Sequence, residues 1–117
     1  MTYLFLLSHS PYGSTLAREA LDMALAAAAF DQTVQLVFLG DGVFQLLNNQ
    51  QSELKQKKNI SKTLPVLGLY DIDTVYADSG SLTERGIDKA QIFAPCQVID
   101  NAAIQQLIAK ADAVMSL

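Results

Sequence analysis

Thr2-Tyr-Leu-Phe-Leu-Leu-Ser8 and Thr33-Val-Gln-Leu-Val-Phe-Leu39, separated by one helix-periodic stretch, decide how this chain folds. Both runs are apolar at most positions and bounded by turn residues, which is the pattern of strands covered on both faces. Between them, Ala17, Ala20, Leu21, Ala24, Leu25 and Ala28 recur at helical spacing, while Arg18, Glu19 and Asp22 mostly take the other side. The spacing predicts a helix over about Thr15 to Phe30, with Ser14 or Thr15 placed to cap its free amides. Its packing residues are mostly alanines, so it can approach a neighbour closely. A strand, a helix and a second strand in that order form a parallel crossover unit.

Downstream the alternation continues. Gly40-Asp41-Gly42 ends the second run and opens a short helical segment, Val43 to Leu47. Residues 48–62 are polar and read as a mobile connection, and Pro65 suits the first turn of a helix over about Leu64 to Tyr70. Thr74 to Asp78 is a third strand, and Ser79-Gly80 turns the chain. Ser81-Leu-Thr-Glu84 has the spacing of a capping box, and Gly86 stops that helix early. Gln97 to Ile99 is a short fourth strand. Asp100 or Asn101 caps a last helix carrying Ile104, Leu107, Ile108 and Ala111, and Ala113 to Leu117 closes the sheet. The expectation is one domain over residues 1–117, an α/β three-layer sandwich with a mostly parallel sheet of about five strands.

Composition narrows the function classes. Half of the 117 residues are hydrophobic and 17% are charged, which excludes disorder and leaves apolar surface for a partner subunit. Net charge is −4, and the basic cluster Lys55, Lys57, Lys58 and Lys62 lies in a polar stretch that reads as a solvated loop. That balance argues against direct contact with nucleic acid. Residues 2–7 have no basic flank and are too short for a signal peptide or a membrane span. With one cysteine, Cys96, no intrachain disulfide forms. The expected setting is the cytoplasm, away from the membrane.

A site in such a sheet lies at the carboxyl ends of the strands. The loop Ser10-Pro-Tyr-Gly-Ser-Thr15 runs into a helix and could cradle a phosphate, but no Gly-Lys-Ser/Thr follows and no Gly-x-Gly-x-x-Gly is present. Ordinary turn and cap chemistry is the favoured reading of this loop. His9 is the single histidine and reads as a partly buried loop residue. Cys96 falls at the amino end of the fourth strand, where a small core hydrophobe is the simpler reading. Asp41, Asp71, Asp73, Asp78 and Glu84 are scattered acids without the spacing of a dyad or a metal site. The residues thus describe a platform without a catalytic constellation: no catalytic residue, cofactor or metal is expected.

Three stretches carry a resemblance. Asp41-Gly-Val-Phe-Gln-Leu-Leu47, Leu67-Gly-Leu-Tyr-Asp-Ile72, and Ser81-Leu82 with Glu84-Arg-Gly-Ile87 are similar to the TusC/DsrF subunits of bacterial sulfur relays, within the DsrE/DsrF-like family. Pro11, Gly13 and Ala17-Arg-Glu-Ala-Leu-Asp22 match the first loop and helix of that family. The resemblance implies an α/β/α sandwich. It also implies a hetero-hexamer with TusB-like and TusD-like siblings, two copies of each, which takes persulfide sulfur from small carrier proteins. In one branch the sulfur ends on the wobble uridine of tRNA; in another, related proteins serve sulfur oxidation. The TusD-like sibling bears its sulfur-carrying cysteine at the end of the third strand, where this chain has Ala77 and Asp78. The resemblance therefore implies a subunit that shapes the assembly without carrying the sulfur. Phe44 and Tyr70 fit an interface or the core equally well. The isolated chain is expected to self-associate through faces that siblings would cover. A stand-alone flavodoxin-like binder using Ser10 to Thr15, and a cysteine enzyme acting through Cys96, are the competing readings.

Overall fold

The two decisive runs lie side by side. In the computed structural model, β1 (Thr2–Leu7) pairs in parallel with β2 (Thr33–Phe38), Thr2 beside Thr33 and Leu7 beside Phe38. The structure describes residues 1–10, 12, 15–30, 32–47, 72, 74–92 and 96–117. The lysine-bearing connection 48–62, the helix expected at 64–70, and Pro11, Gly13, Ser14, Tyr70, Asp71, Asp73 and Pro95 lie outside them.

Beyond β2 come β3 (Thr74–Asp78), α2 (Ser79–Glu84), β4 (Gln97–Ile99), α3 (Asn101–Lys110) and β5 (Ala113–Ser116), while α1 (Leu16–Ala29) joins β1 to β2. The five strands form one sheet in the order β4-β3-β2-β1-β5, and every pairing is parallel. That order fixes the layers. From β1 to β4 the chain steps in one direction, and right-handed crossovers then keep every connection on one face. From β4 the chain must return across the whole sheet to reach β5, so its crossover helix α3 belongs on the opposite face.

Burial follows this division. Phe5, Leu7, Leu36, Phe38, Val75 and Ala77 point to the first face and pack with Ala17, Ala20, Leu21 and Ala24 of α1. Leu4 and Val37 point the other way and pack with Ile104, helped by half-buried Tyr76, Leu107 and Ile108. Each fully buried Leu or Phe contributes roughly 1.5–3 kcal/mol by leaving water, so the first face carries most of the stability. The helix stripe and the strand runs thus stand where the sequence puts them.

Two starts differ from expectation. Thr15 is the residue before α1, but its hydroxyl makes no capping bond. The helix expected to open at Ser81 opens at Ser79, with Asp78 as its cap. The physical reason is that a carboxylate at the very end of a strand is the stronger acceptor. It takes the amide of Ser81, leaving the serine inside the first turn. Asp100 caps α3 as expected, accepting from the Ala103 amide at 2.9 Å. Among the described residues no helix is long and apolar enough to cross a membrane.

Candidate functional site at the carboxyl edge of the sheet

Strand order also locates the crevice. The connection leaving β3 stays on the α1 face, while the one leaving β4 goes to the α3 face. Adjacent strands whose exits diverge open a cleft at their carboxyl ends. By strand order that opening falls between Asp78 and Ile99, which are paired in register.

Asp78 is tied up there. Its Oδ2 accepts from the Ser81 hydroxyl at 2.6 Å and from the Ser81 amide at 3.2 Å. The same hydroxyl oxygen accepts from the Gly40 amide at 2.8 Å. One chain of bonds therefore runs from the end of β2, through Ser81, to the end of β3. Gly40 sits at φ +55, the left-handed region that glycine enters freely. A 3-10 helix follows over Gly40–Leu46, with Val43, Gln45 and Leu46 wholly buried beneath it. Gln45 donates to the His9 carbonyl at 2.9 Å, so this short helix is also fastened to the end of β1.

Arg85 closes the arrangement on the outside. Its Nε donates to Asp41 Oδ1 at 3.1 Å, and its Nη1 donates to the Ser81 carbonyl at 3.2 Å. Glu84 lies 3.6 Å from the same guanidinium. The acids that look scattered in sequence are in part these partners, Asp41 and Glu84 of Arg85 and Asp78 of Ser81.

The arrangement is poor at nucleophilic chemistry. Ser81 is buried, no hydrogen bond joins it to His9, and its hydroxyl is already committed, donating to Asp78 and accepting from the Gly40 amide. His9 is exposed, where the sequence reading put it partly buried, because its backbone is held by Gln45 while its ring is left in the loop. It borders an apolar cavity of about 130 Å³ with Leu16, Glu19, Ala20, Met23 and Leu117. The loop after β1 shows turn chemistry in its described part: Ser10 Oγ accepts from the Tyr12 amide at 3.2 Å. Among the described residues no three His, Cys, Asp or Glu side chains gather around a metal position.

Cys96 stands immediately before β4, at the amino edge and away from the cleft. Its thiol is buried, with Sγ 3.8 Å from the Gln97 carbonyl. Burial pushes its pKa up to about 12, the nearby charge of Lys89 pulling the other way. At neutral pH it is therefore a thiol, and the thiolate is the form that attacks sulfur. Phe44 is half-buried on the 3-10 helix.

The sequence reading marked the strand ends correctly but missed the Ser81 clamp and the Arg85–Asp41 pair. The clamp had a local signal, Asp78 three residues before Ser81. The ion pair had none, since its partners are far apart in sequence and meet only because β2 and β3 are neighbours.

Comparison with known proteins bears on the family and the fold. The sequence pattern of the DsrE/DsrF-like family matches residues 1–117. A protein TusC homolog of Pseudomonas aeruginosa is 37% identical over 114 residues, covering 97% of this chain and 96% of that protein. The intracellular sulfur oxidation protein DsrF of Allochromatium vinosum is 35% identical over 128 residues, covering 97% and 94%. The crystal structure of the ychN protein from E. coli superposes with a TM-score of 0.87 at 20% identity, over 99% of this chain and 98% of that one. At that identity the likeness concerns the fold alone.

Proposed function

The chain belongs to the DsrE/DsrF-like family, and from that premise we propose that it is a non-catalytic subunit of a sulfur-relay complex, working as a single domain over residues 1–117. Relay chemistry needs a thiolate that takes sulfane sulfur and is then attacked by the next thiolate. The observation that carries the reading is where this chain's thiol stands. Cys96 is buried at the amino edge with its pKa near 12, whereas the cleft at the carboxyl edge ends on Asp78. The sulfur is carried on a TusD-like sibling. This chain, with a TusB-like sibling, frames it in a cytoplasmic hetero-hexamer that meets small sulfur-carrier proteins and touches neither membrane nor nucleic acid directly. The end product in this reading is the 2-thio group of the tRNA wobble uridine.

The test is native mass spectrometry of the chain isolated from its own cells, joined to a complementation assay. A hetero-hexamer containing a cysteine-bearing sibling, and full tRNA thiolation restored by Cys96→Ser, are the expected results. A persulfide trapped on Cys96 during turnover, or isolation as a free monomer, would overturn the reading.

The likeness to the Allochromatium vinosum sulfur oxidation protein favours a second branch, in which the same platform serves sulfur oxidation. Growth on reduced sulfur with and without the chain separates the two: loss of growth with tRNA thiolation intact selects oxidation.

A further inference from the structure

Leu16, Ala20, Met23 and Ala27 on α1, and Phe30 at its C-terminal cap, follow one another at steps of four and three residues. That spacing makes a stripe on the flank of the helix, about a quarter turn from the alanines that face the sheet. Three of these side chains are large and project into water: Leu16 is 47%, Met23 49% and Phe30 78% exposed. The stripe faces a step in the fold. The helix α1 packs on β1 and β2. Over the edge strand β5, Met115 and Leu117 stay half-buried on the same face. The cavity bordered by Leu16, Ala20, Met23 and Leu117 is the head of that groove.

The geometry points to a second copy of this chain as the occupant, its α1 lying antiparallel across the first with a two-fold axis at Met23. Three features select this partner. First, Leu16 and Phe30 are each seven residues from Met23, about 10 Å along the helix at the usual rise. The two-fold therefore sets each Phe30 opposite the other copy's Leu16, at the mouth of its cavity. Second, the sizes agree. The cavity is about 130 Å³, and apolar cavities of about 150 Å³ accept benzene, the body of a phenylalanine. Third, the charges allow one direction only. Arg18, Glu19 and Asp22 all lie in the first half of α1, and positions 23–30 carry none. The antiparallel arrangement places Glu19 against Ala27 of the other copy, whereas a parallel one places Glu19 against Glu19. Ala20 and Ala27 between the large residues let the helices come close. An isologous contact of this kind closes on itself as a pair. The inference rests on α1 and β5 alone and is independent of the relay reading.

The experiment uses the full chain. Sedimentation equilibrium of the wild type gives an assembly with an even number of copies. Phe30→Ser, at a side chain mostly in water, leaves the circular dichroism spectrum unchanged and raises the dissociation constant at least about 30-fold, as loss of a central aromatic anchor does. Met23→Cys links two copies with a short bis-maleimide, while Ala29→Cys on the far side of α1 does not; buried Cys96 stays silent in both. The same Met23→Cys chain recovered from cells links to its own copy. Wild type that stays monomeric at high concentration, an assembly indifferent to Phe30→Ser, linking through Ala29→Cys in place of Met23→Cys, or linking in cells only to a different protein would each overturn the proposal.

Discussion

Replacing Gly42 by alanine tests the junction between β1 and the short helix that frames the cleft. A Cβ on Gly42 would lie 2.0 Å from the Leu7 carbonyl oxygen, 2.8 Å from its carbon and 3.2 Å from the Ser8 Cα. Non-bonded carbon and oxygen atoms settle at roughly 3.3–3.6 Å. The atoms in the way belong to the backbone of a buried strand end, which cannot swing aside as a side chain does. The 3-10 helix must instead move away by more than an ångström. That motion loosens the packing of Val43 and Leu46 and strains the bond from the Leu39 amide to the Leu7 carbonyl, now 3.1 Å. Overpacking costs about 1–3 kcal/mol and a lost backbone hydrogen bond about 1 kcal/mol, so the expected cost is about 3 kcal/mol. For a domain of this size that lowers the melting temperature by roughly 12 °C or more.

Gly86→Ala is the matched control. Gly86 has φ +64 and nothing within 4 Å of an added Cβ, so only the left-handed backbone resists, at about 1–2 kcal/mol. Thermal unfolding of the two variants at equal protein concentration decides the matter. If Gly42→Ala melts no lower than Gly86→Ala, the close approach of the short helix to β1 is not what the strand end depends on, and the reasoning fails.

Three further outcomes follow from the site. Ser81→Ala removes the acceptor of the Gly40 amide and the donor to Asp78; urea unfolding should show a loss of about 1–3 kcal/mol, and an unchanged midpoint would refute the clamp. Arg85→Ala breaks the 3.1 Å contact with Asp41, whose side chain is 60% exposed, so it should cost no more than about 1 kcal/mol, most of it gone in high salt. A larger loss, insensitive to salt, would mean that the guanidinium acts through the Ser81 carbonyl instead. Cys96 binds its proton more tightly folded than unfolded, with a pKa near 12 against an ordinary 9.0. Its contribution is therefore complete below about pH 9 and is lost as pH rises toward 12. Cys96→Ala should flatten that part of the pH profile of unfolding, and identical slopes in the two proteins would contradict it.

How much of this was legible in the sequence depended on the range of the interaction. Strands β1 and β2 announced themselves because burial on both faces leaves continuous apolar runs, and α1 because its alanines recur with the helical period. Asp100 was legible as a cap because capping is local. The start of α2 was misjudged for an equally local reason: Ser81 and Glu84 fit a capping box, but Asp78 outcompetes Ser81 for the same amide. Gly42 looked like an ordinary turn glycine, since nothing nearby in sequence reveals that the Leu7 carbonyl stands 2.0 Å from where its side chain would be. Gln45 gave no signal either. It is buried because the end of β1 presents a carbonyl to it, a contact spanning 36 residues.

The cleft itself illustrates why a fold of this kind need not imply an active site on every chain that adopts it. Divergent exits from β3 and β4 create the opening whatever residues stand there, because the opening follows from strand order. Chemistry requires in addition a side chain at the rim that is free to react. On this chain the polar groups at the ends of β2 and β3 are spent on the fold: Asp78 holds the first turn of α2, Ser81 bridges to Gly40, and Arg85 binds the outside of the short helix to that turn. Freeing any one of them to meet a substrate would cost the strand ends their alignment. Among the described residues, large exposed apolar side chains gather instead along α1 and β5, at Leu16, Met23, Phe30 and Val114. Strand ends whose polar groups already bond one another fit the role proposed for this chain, beside a neighbour that carries the reacting sulfur.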